Sequence, residues 1–144
     1  MNNFAIRFPL ERSSIIEMLQ YYNVSPTRQR IEIAEFLFKE PQHLSADKIL
    51  DGVKAEGKRV SRATVYNTMG LFVEKGIVRE VLIDRERVFY DTNTDNHQHV
   101  YNVDSGELKD IYDIDINLAD NMAIPDSCQV LGADIVIKVC SSPA

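Results

Sequence analysis

The chain has little of what secreted or membrane-spanning proteins carry. Only Cys128 and Cys140 are cysteines among its 144 residues, too few for a disulfide framework and compatible with a reducing compartment. No apolar run approaches the roughly 20 residues that cross a bilayer. The N-terminus has no basic patch followed by an apolar stretch, so we expect no secretion signal. There are no internal repeats. The sequence predicts a cytoplasmic protein of one ordinary domain or two small ones.

Positive charge is scarce beyond residue 92. Residues 1–92 hold 14 Lys or Arg against 13 Asp or Glu, whereas residues 93–144 hold 2 against 9. The net charge of -6 therefore belongs to the second part, and only the first part is expected to approach nucleic-acid phosphates. The acidic second part suits divalent cations, or simply solubility.

The first part contains a short, two-faced helix at residues 61–76. Ser61 can cap its start with a hydroxyl, and Gly76 can close its end in the left-handed conformation. Its apolar residues recur with helical spacing and form one stripe for packing. They are Val65, Met69, Phe72 and Val73. The other face presents Arg62, Tyr66 and Asn67, residue types that can contact base edges in a DNA major groove.

The elements around this helix predict a winged helix. Earlier helices are predicted at 10–22, at 28–39 after Thr27, and in a segment capped by Ser45. Residues 40–44 are expected to be a loop. After residue 76, two β-prone runs at 77–83 and 87–91 flank a polar turn and form the wing. This order makes residues 61–76 the recognition helix of a helix-turn-helix.

The second part predicts a small α/β domain. Strands are expected at 99–103, 107–112 and 130–139, with one or two helical turns at 115–122. A three-stranded antiparallel sheet is too small to be comfortable alone, so we infer a homodimer. The fold class is therefore α+β, with a winged-helix DNA-binding domain at 1–91, a hinge at 92–97, and a dimerisation and metal-sensing domain at 98–144.

Basic and polar residues near the recognition helix are candidates for contact with double-stranded DNA. Arg can pair with guanine, Asn with adenine, and Tyr can pack on a thymine methyl group. The cations ahead of the helices suit phosphates instead, although a wing or turn cation alone is as consistent with a solvated surface charge. We expect the DNA-contacting residues to be Arg28, Arg30, Lys58, Arg59, Arg62, Thr64, Tyr66 and Asn67.

All three histidines fall in a pattern that indicates a metal site. His97 and His99 lie two apart at the start of a predicted strand and share a face, which Asp110 on the neighbouring strand can reach. Asp91 ends the wing, and His43 precedes the third helix. Alone, such a carboxylate or loop histidine would be an ordinary surface residue. Together they suit Fe(II), Mn(II) or Zn(II), and a ligand set from both domains would fix their relative angle.

Several runs resemble the ferric uptake regulator family in order and spacing. They are Pro26-Thr27-Arg28-Gln29-Arg30, Gln42-His43-Leu44-Ser45-Ala46, Ala63-Thr64-Val65-Tyr66-Asn67-Thr68, Phe89-Tyr90-Asp91 and His97-Gln98-His99. The resemblance covers roughly residues 20–140. Gly106-Glu107-Leu108-Lys109-Asp110-Ile111 and the run 134–139 are most similar to the iron response regulator branch. The family implies an N-terminal winged helix, a C-terminal dimerisation domain, and metal- or haem-linked control of transcription.

Two departures from the family pattern shape the expected cofactors. Most members have cysteine pairs for structural zinc, whereas the first pair is replaced here by Asn102 and Ser105, so we expect no four-cysteine zinc site. The branch often has three consecutive histidines tied to haem. Here the run is Asn96-His97-Gln98-His99, which weakens the haem prediction without removing haem as a possible effector.

The predicted function is a metal-responsive repressor that controls iron homeostasis genes as a homodimer on operator DNA. A haem-responsive regulator and an Fe(II)-dependent peroxide sensor, in which a ligand histidine is oxidised, are alternatives. A mononuclear non-haem iron enzyme also uses two histidines and a carboxylate. That enzyme needs an enclosing barrel and a substrate pocket, for which the second domain is too small, so we expect no enzyme.

Overall fold

The computed structural model describes residues 4–112, 123–131 and 133–143. The chain divides into two compact units, Met1–Thr94 and Asp95–Ala144. None of the helices in these described ranges is both long and apolar enough to cross a membrane. The helical turns predicted at 115–122 lie outside the described residues.

Three of the four helices of the first unit begin directly after a predicted capping residue. The four helices are α1 (Arg12–Tyr21), α2 (Arg28–Leu37), α3 (Ala46–Ala55) and α4 (Arg62–Lys75). The side chains of Thr27, Ser45 and Ser61 each accept a hydrogen bond from the backbone N–H three residues later. Helix α4 ends at Gly76, which has a φ of 82° and adopts the left-handed conformation. The predicted helices and caps are confirmed.

The core of the first unit is built from the apolar faces of all four helices. Helix α2 is buried over much of its circumference, at Ile31, Glu32, Ile33, Ala34 and Leu37. Helix α4 contributes the predicted stripe, because Val65, Met69 and Phe72 are fully buried and Val73 is partly buried. Packing on this stripe orients α4, so that its opposite face points to solvent.

The wing is a hairpin of β2 (Arg79–Leu82) and β3 (Val88–Asp91), paired antiparallel. Its turn is closed by Asp84, whose Oδ1 accepts hydrogen bonds from the backbone N–H groups of Glu86 and Arg87 at 2.9 Å each. The predicted hairpin is confirmed.

The prediction of a simple loop at 40–44 was wrong at its end. His43–Leu44 forms β1, which pairs antiparallel with β3 and places His43 opposite Asp91. The neighbouring Gln42 is anchored by Thr92: the Gln42 N–H donates to Thr92 Oγ1 at 3.1 Å, and the Thr92 N–H donates to the Gln42 carbonyl at 3.2 Å. A strand of two residues is too short to show alternation in the sequence. It is recognised only from its pairing with β3.

The second unit contains β4 (Gln98–Asn102), β5 (Leu108–Ile111) and β6 (Val136–Val139), in the order β5-β4-β6. Strands β4 and β5 are antiparallel, but β6 runs parallel to β4, so the expectation of an all-antiparallel sheet was wrong for this strand. Strand β6 follows β5 along the chain, and β4 lies between the two in the sheet, so this parallel pair joins strands that are not consecutive. The strand is also shorter than the predicted 130–139.

The turn after β4 is tied to the segment after β6 by side-chain hydrogen bonds. Asn102 Oδ1 accepts from the N–H groups of Asp104 at 2.9 Å and Ser105 at 3.2 Å, and its Nδ2 donates to Ser141 Oγ at 3.3 Å. Asp104 Oδ2 accepts from the Ser141 N–H at 2.8 Å. Asn102 and Ser105 stand where the family pattern places its first cysteine pair.

Replacing Asn102 by Ala should loosen this turn. We expect a loss of about 1 to 2 kcal/mol of local stability, because several hydrogen bonds to one side chain disappear. Hydrogen exchange at the amides of Ser105 and Ser141 should then be about 5- to 30-fold faster. Asn96→Ala is the control, since Asn96 is exposed and its side chain forms no hydrogen bond within the described ranges. Equal acceleration in both variants would contradict the assigned role.

Candidate metal centre and DNA-contacting face

The first unit brings two of the predicted ligands together. His43 and Asp91 face each other across β1 and β3, with His43 Nε2 at 3.3 Å from Asp91 Oδ2. The Asp91 side chain is only 1% exposed. Its Oδ1 accepts a hydrogen bond from the Asn93 N–H at 2.9 Å, which orients the carboxylate and directs its second oxygen to His43.

The second unit brings the other three ligands together. His99 lies opposite Asp110 in the register of β4 and β5, and His97 precedes it on the same face. The Nε2 atoms of both histidines lie 3.3 Å from Asp110 Oδ1. The side chains of His97 and His99 are 0% and 1% exposed, and the two rings meet edge to face at 4.5 Å.

The hydrogen bonding of His97 fits a cation between the imidazole and the carboxylate. Its Nδ1 lies 2.7 Å from the carbonyl oxygen of Asp95, which can only accept, so we assign the proton to Nδ1. In the neutral ring Nε2 then carries a lone pair, and it faces the negatively charged Asp110. Two acceptors at 3.3 Å need a positive charge between them, which is a proton or a metal ion.

The distances within the second unit also fit a metal ion. One atom from each of His97, His99 and Asp110 lies within 4.8 Å of the others. Ligands bound at about 2.1 Å to a common ion sit about 3.0 to 3.4 Å apart at tetrahedral or right angles. The observed 3.3 Å contacts fall in this range. The donor set of imidazoles and carboxylate suits borderline divalent ions.

Tyr112 belongs to this cluster and was not predicted. Its ring stacks on His97 at 5.5 Å with an angle of 25°, and its hydroxyl donates to Asp110 Oδ2 at 3.4 Å. The signal was present in the sequence, because Asp110 and Tyr112 are two residues apart at the end of β5 and alternation puts them on one face. Tyr112 orients both a histidine and the carboxylate.

The predicted reading face of α4 is exposed. The Arg62 side chain is 63% exposed and Tyr66 is 48% exposed, with Asn67 also at the surface. Arg62 forms an ion pair with Asp47 of α3, and the hydrogen bond from Arg62 to Asp47 is the main cause that raises the pKa of the Arg62 guanidinium. Thr64 instead completes the cap, with its Oγ1 at 2.8 Å from Ser61 Oγ.

The other predicted DNA-contacting cations lie in the first turn of α2 and in the turn between α3 and α4. Arg28 Nε is 3.3 Å from Oε1 of the buried Glu32, and Arg30 Nη1 donates to the Ser25 carbonyl at 3.0 Å. Lys58 is partly buried and Arg59 is exposed, both just ahead of α4. These contacts orient the two arginines near the start of α2.

A groove of about 340 Å³ separates α4 from the wing. Tyr66 forms part of one wall, and Arg85, Glu86 and Arg87 of the wing turn line the other. Asp47, at the start of α3, also lines it. Arg85 and Arg87 place cations on the wing side of the groove, where they could contact DNA phosphates.

A winged helix followed by a unit with a His/Asp cluster is the architecture of a DNA-binding sensor protein. The chain matches the model of the ferric uptake regulator family over residues 21–127. It is 30% identical over 119 residues to the peroxide-responsive repressor PerR of Staphylococcus aureus, covering 83% of this chain and 79% of that protein. The chain belongs to the ferric uptake regulator family, which confirms the predicted family; the branch within it stays a prediction.

Solved structures show the same fold at lower identity. The ferric uptake regulator of Pseudomonas aeruginosa with manganese aligns with a TM-score of 0.71 at 23% identity, over 90% of this chain and 98% of that one. The regulator from Francisella tularensis with iron aligns with a TM-score of 0.68 at 24% identity, over 81% and 91%. The predicted α+β fold class is confirmed.

Replacing Asp110 by Asn should weaken binding of a divalent ion. Even residues that only orient metal ligands change affinity about 10- to 100-fold, so loss of a ligand should cost at least that much. Co(II) absorption titration of the purified protein measures the effect. Asp126→Asn is the matched control, because it removes the same charge from an exposed carboxylate of the same unit. Equal losses in the two variants would mean that only net charge matters.

Proposed function

We propose that this protein is a metal-responsive transcriptional repressor that binds operator DNA as a homodimer. The observation that carries the proposal is the approach of His97 Nε2 and His99 Nε2 to one oxygen of Asp110, all at 3.3 Å in a buried setting. This arrangement supports the binding of a cation. The exposed face of α4 supplies the surface that a repressor needs.

We propose that a single ion takes ligands from both groups, namely His43, Asp91, His97, His99 and Asp110. The support is chemical. Fe(II) and Mn(II) accept more ligands than either group offers, and neither group alone completes a coordination shell. The segment 92–96 joins Asp91 to His97 and, even fully extended, spans only about 20 Å. An ion held this way links metal occupancy to DNA-binding geometry.

The ligand chemistry favours Fe(II) or Mn(II), with Zn(II) as a further candidate. Relatives with the same fold are described with manganese and with iron. Haem is the weaker effector, because an axial imidazole must reach the iron of a large planar ring, whereas the side chains of His97 and His99 are 0% and 1% exposed.

DNA recognition is proposed to divide between two sets of residues. Arg62, Tyr66 and Asn67 would contact base edges from the exposed face of α4. The phosphate contacts would come from four cations at the start of α2 and just ahead of α4, namely Arg28, Arg30, Lys58 and Arg59. Thr64, in the first turn of α4, is a further proposed contact. We propose no catalytic activity, and the curated relatives are named as repressors.

The proposed dimer contact is the second unit. Its strand β6 leaves Ile137 at 41% and Val139 at 38% exposed, and Val103 beyond β4 is 48% exposed. A small sheet with apolar residues on its surface gains stability when a second copy covers it.

The metal response can be tested with DNA affinity as the readout. An operator is first selected from random DNA, and its affinity is measured by fluorescence anisotropy without metal and with Mn(II), Fe(II) or Zn(II). At least one ion should change the affinity about tenfold, in the range typical of coupled sites. His97→Ala and His99→Ala should abolish the change.

Tyr66→Ala provides the complementary control. It should weaken operator binding and leave metal uptake unchanged, because Tyr66 lies on α4 in the first unit and is no proposed ligand. If no site can be selected and no ion alters affinity, the proposed function is wrong.

Peroxide sensing is a second candidate function, favoured by the similarity to a peroxide-responsive repressor. In this reading Fe(II) and hydrogen peroxide oxidise a ligand histidine, and one oxygen atom is added to the ring. We expect the peptide with His97 and His99 to gain about 16 mass units after treatment of the Fe(II) protein, as measured by mass spectrometry. The Mn(II) protein is the control and should not change. The absence of a mass gain with Fe(II) would contradict peroxide sensing, and metal sensing would remain as the proposed function.

A further inference from the structure

An ion pair on the proposed DNA-contacting face joins the first turn of α3 to the first turn of α4. Arg62 Nη1 donates to Asp47 Oδ1, and the two side chains are 63% and 62% exposed. A pair this exposed adds little to folding stability. Its position suggests another role, because Arg62 is the first residue of the recognition helix.

Asp47 adds a negative charge to a groove whose wing side carries two arginines and one glutamate. It lines the groove that Tyr66 shares with Arg85 and Arg87 of the wing. Since DNA phosphates are negative, a carboxylate here opposes binding to any DNA. Such a residue lowers the affinity for non-specific DNA and can therefore raise the ratio of specific to non-specific binding.

The same contact restrains the Arg62 guanidinium. The hydrogen bond from Nη1 to Asp47 Oδ1 favours one orientation of the guanidinium. A planar, pre-oriented guanidinium suits bidentate contact with guanine, whereas an unrestrained arginine can reach for phosphates.

We propose that Asp47 is a specificity-determining residue that positions Arg62 for base contact and withholds it from phosphates. This inference rests on the proposed DNA-binding function. Asp47 acts through Arg62 and touches no base itself. The role predicts an effect on the choice between DNA sequences, which a purely structural contact would not produce.

The test compares Asp47→Asn with Glu86→Gln in the Mn(II)-loaded protein. Glu86 lines the same groove, and its side chain forms no ion pair among the residues that the structure describes. Each variant therefore removes one groove charge, but only Asp47→Asn releases Arg62. Affinities are measured for the selected operator and for a shuffled duplex, each over a range of salt concentrations.

Asp47→Asn should strengthen binding to the shuffled duplex and steepen its salt dependence by about 0.9 in log–log slope, because Arg62 gains a phosphate contact. The ratio of operator to shuffled affinity should fall about tenfold. Glu86→Gln should strengthen binding to both duplexes equally and leave the ratio unchanged. Asp47→Glu, which keeps a carboxylate, should restore most of the ratio.

An Arg62→Ala background separates positioning from charge. In that background Asp47→Asn should behave like Glu86→Gln, since no guanidinium remains to position. If the two variants are alike in the unaltered background as well, Asp47 is only a surface charge and this inference fails while the proposed function stands. If the unaltered protein selects no operator, the proposed function fails first and this inference with it.

Discussion

The approach of two acceptors across β4 and β5 is the constraint on which the second unit depends. The strand register sets His99 opposite Asp110, and the Asp95 carbonyl holds the His97 proton on Nδ1. The remaining nitrogen faces a carboxylate oxygen in a buried site, where unlike charges attract strongly and like charges are costly. A positive charge bound between them, a proton or a metal ion, would stabilise the arrangement, and its departure would change the local electrostatics.

In the first unit, β3 connects the candidate ligands to the proposed DNA-contacting face. One end of this strand leaves the wing turn with Arg85 and Arg87, and the other ends at Asp91. Pairing with β1 sets His43 against Asp91, while pairing with β2 makes the wing. A displacement of Asp91 on metal binding would act on the same strand that carries the wing, without any additional element.

Local features were predictable, and features made by distant pairing were not. The caps at Thr27, Ser45 and Ser61 depend on neighbouring residues, and the ligand types were visible in the sequence. Strand β1 has two residues and no period, and the direction of β6 depends on the path of a long connection. The Arg62–Asp47 ion pair was also not predicted, because its two residues lie on different helices that meet only through tertiary packing.

In the second unit, the residues that close the turn at Asn102 are different from the candidate metal ligands. Asn102 and Ser105 replace the first cysteine pair of the family pattern, and here an amide and a carboxylate bind Ser141 directly. Hydrogen bonds do not depend on metal supply or on the oxidation state of a thiol. The turn does not need an ion to stay closed, so it would persist while an ion at the candidate ligands His97, His99 and Asp110 exchanged. If these residues bind the proposed effector ion, its loss would leave intact the hydrogen bonds that position the strands, as a reversible response to metal requires.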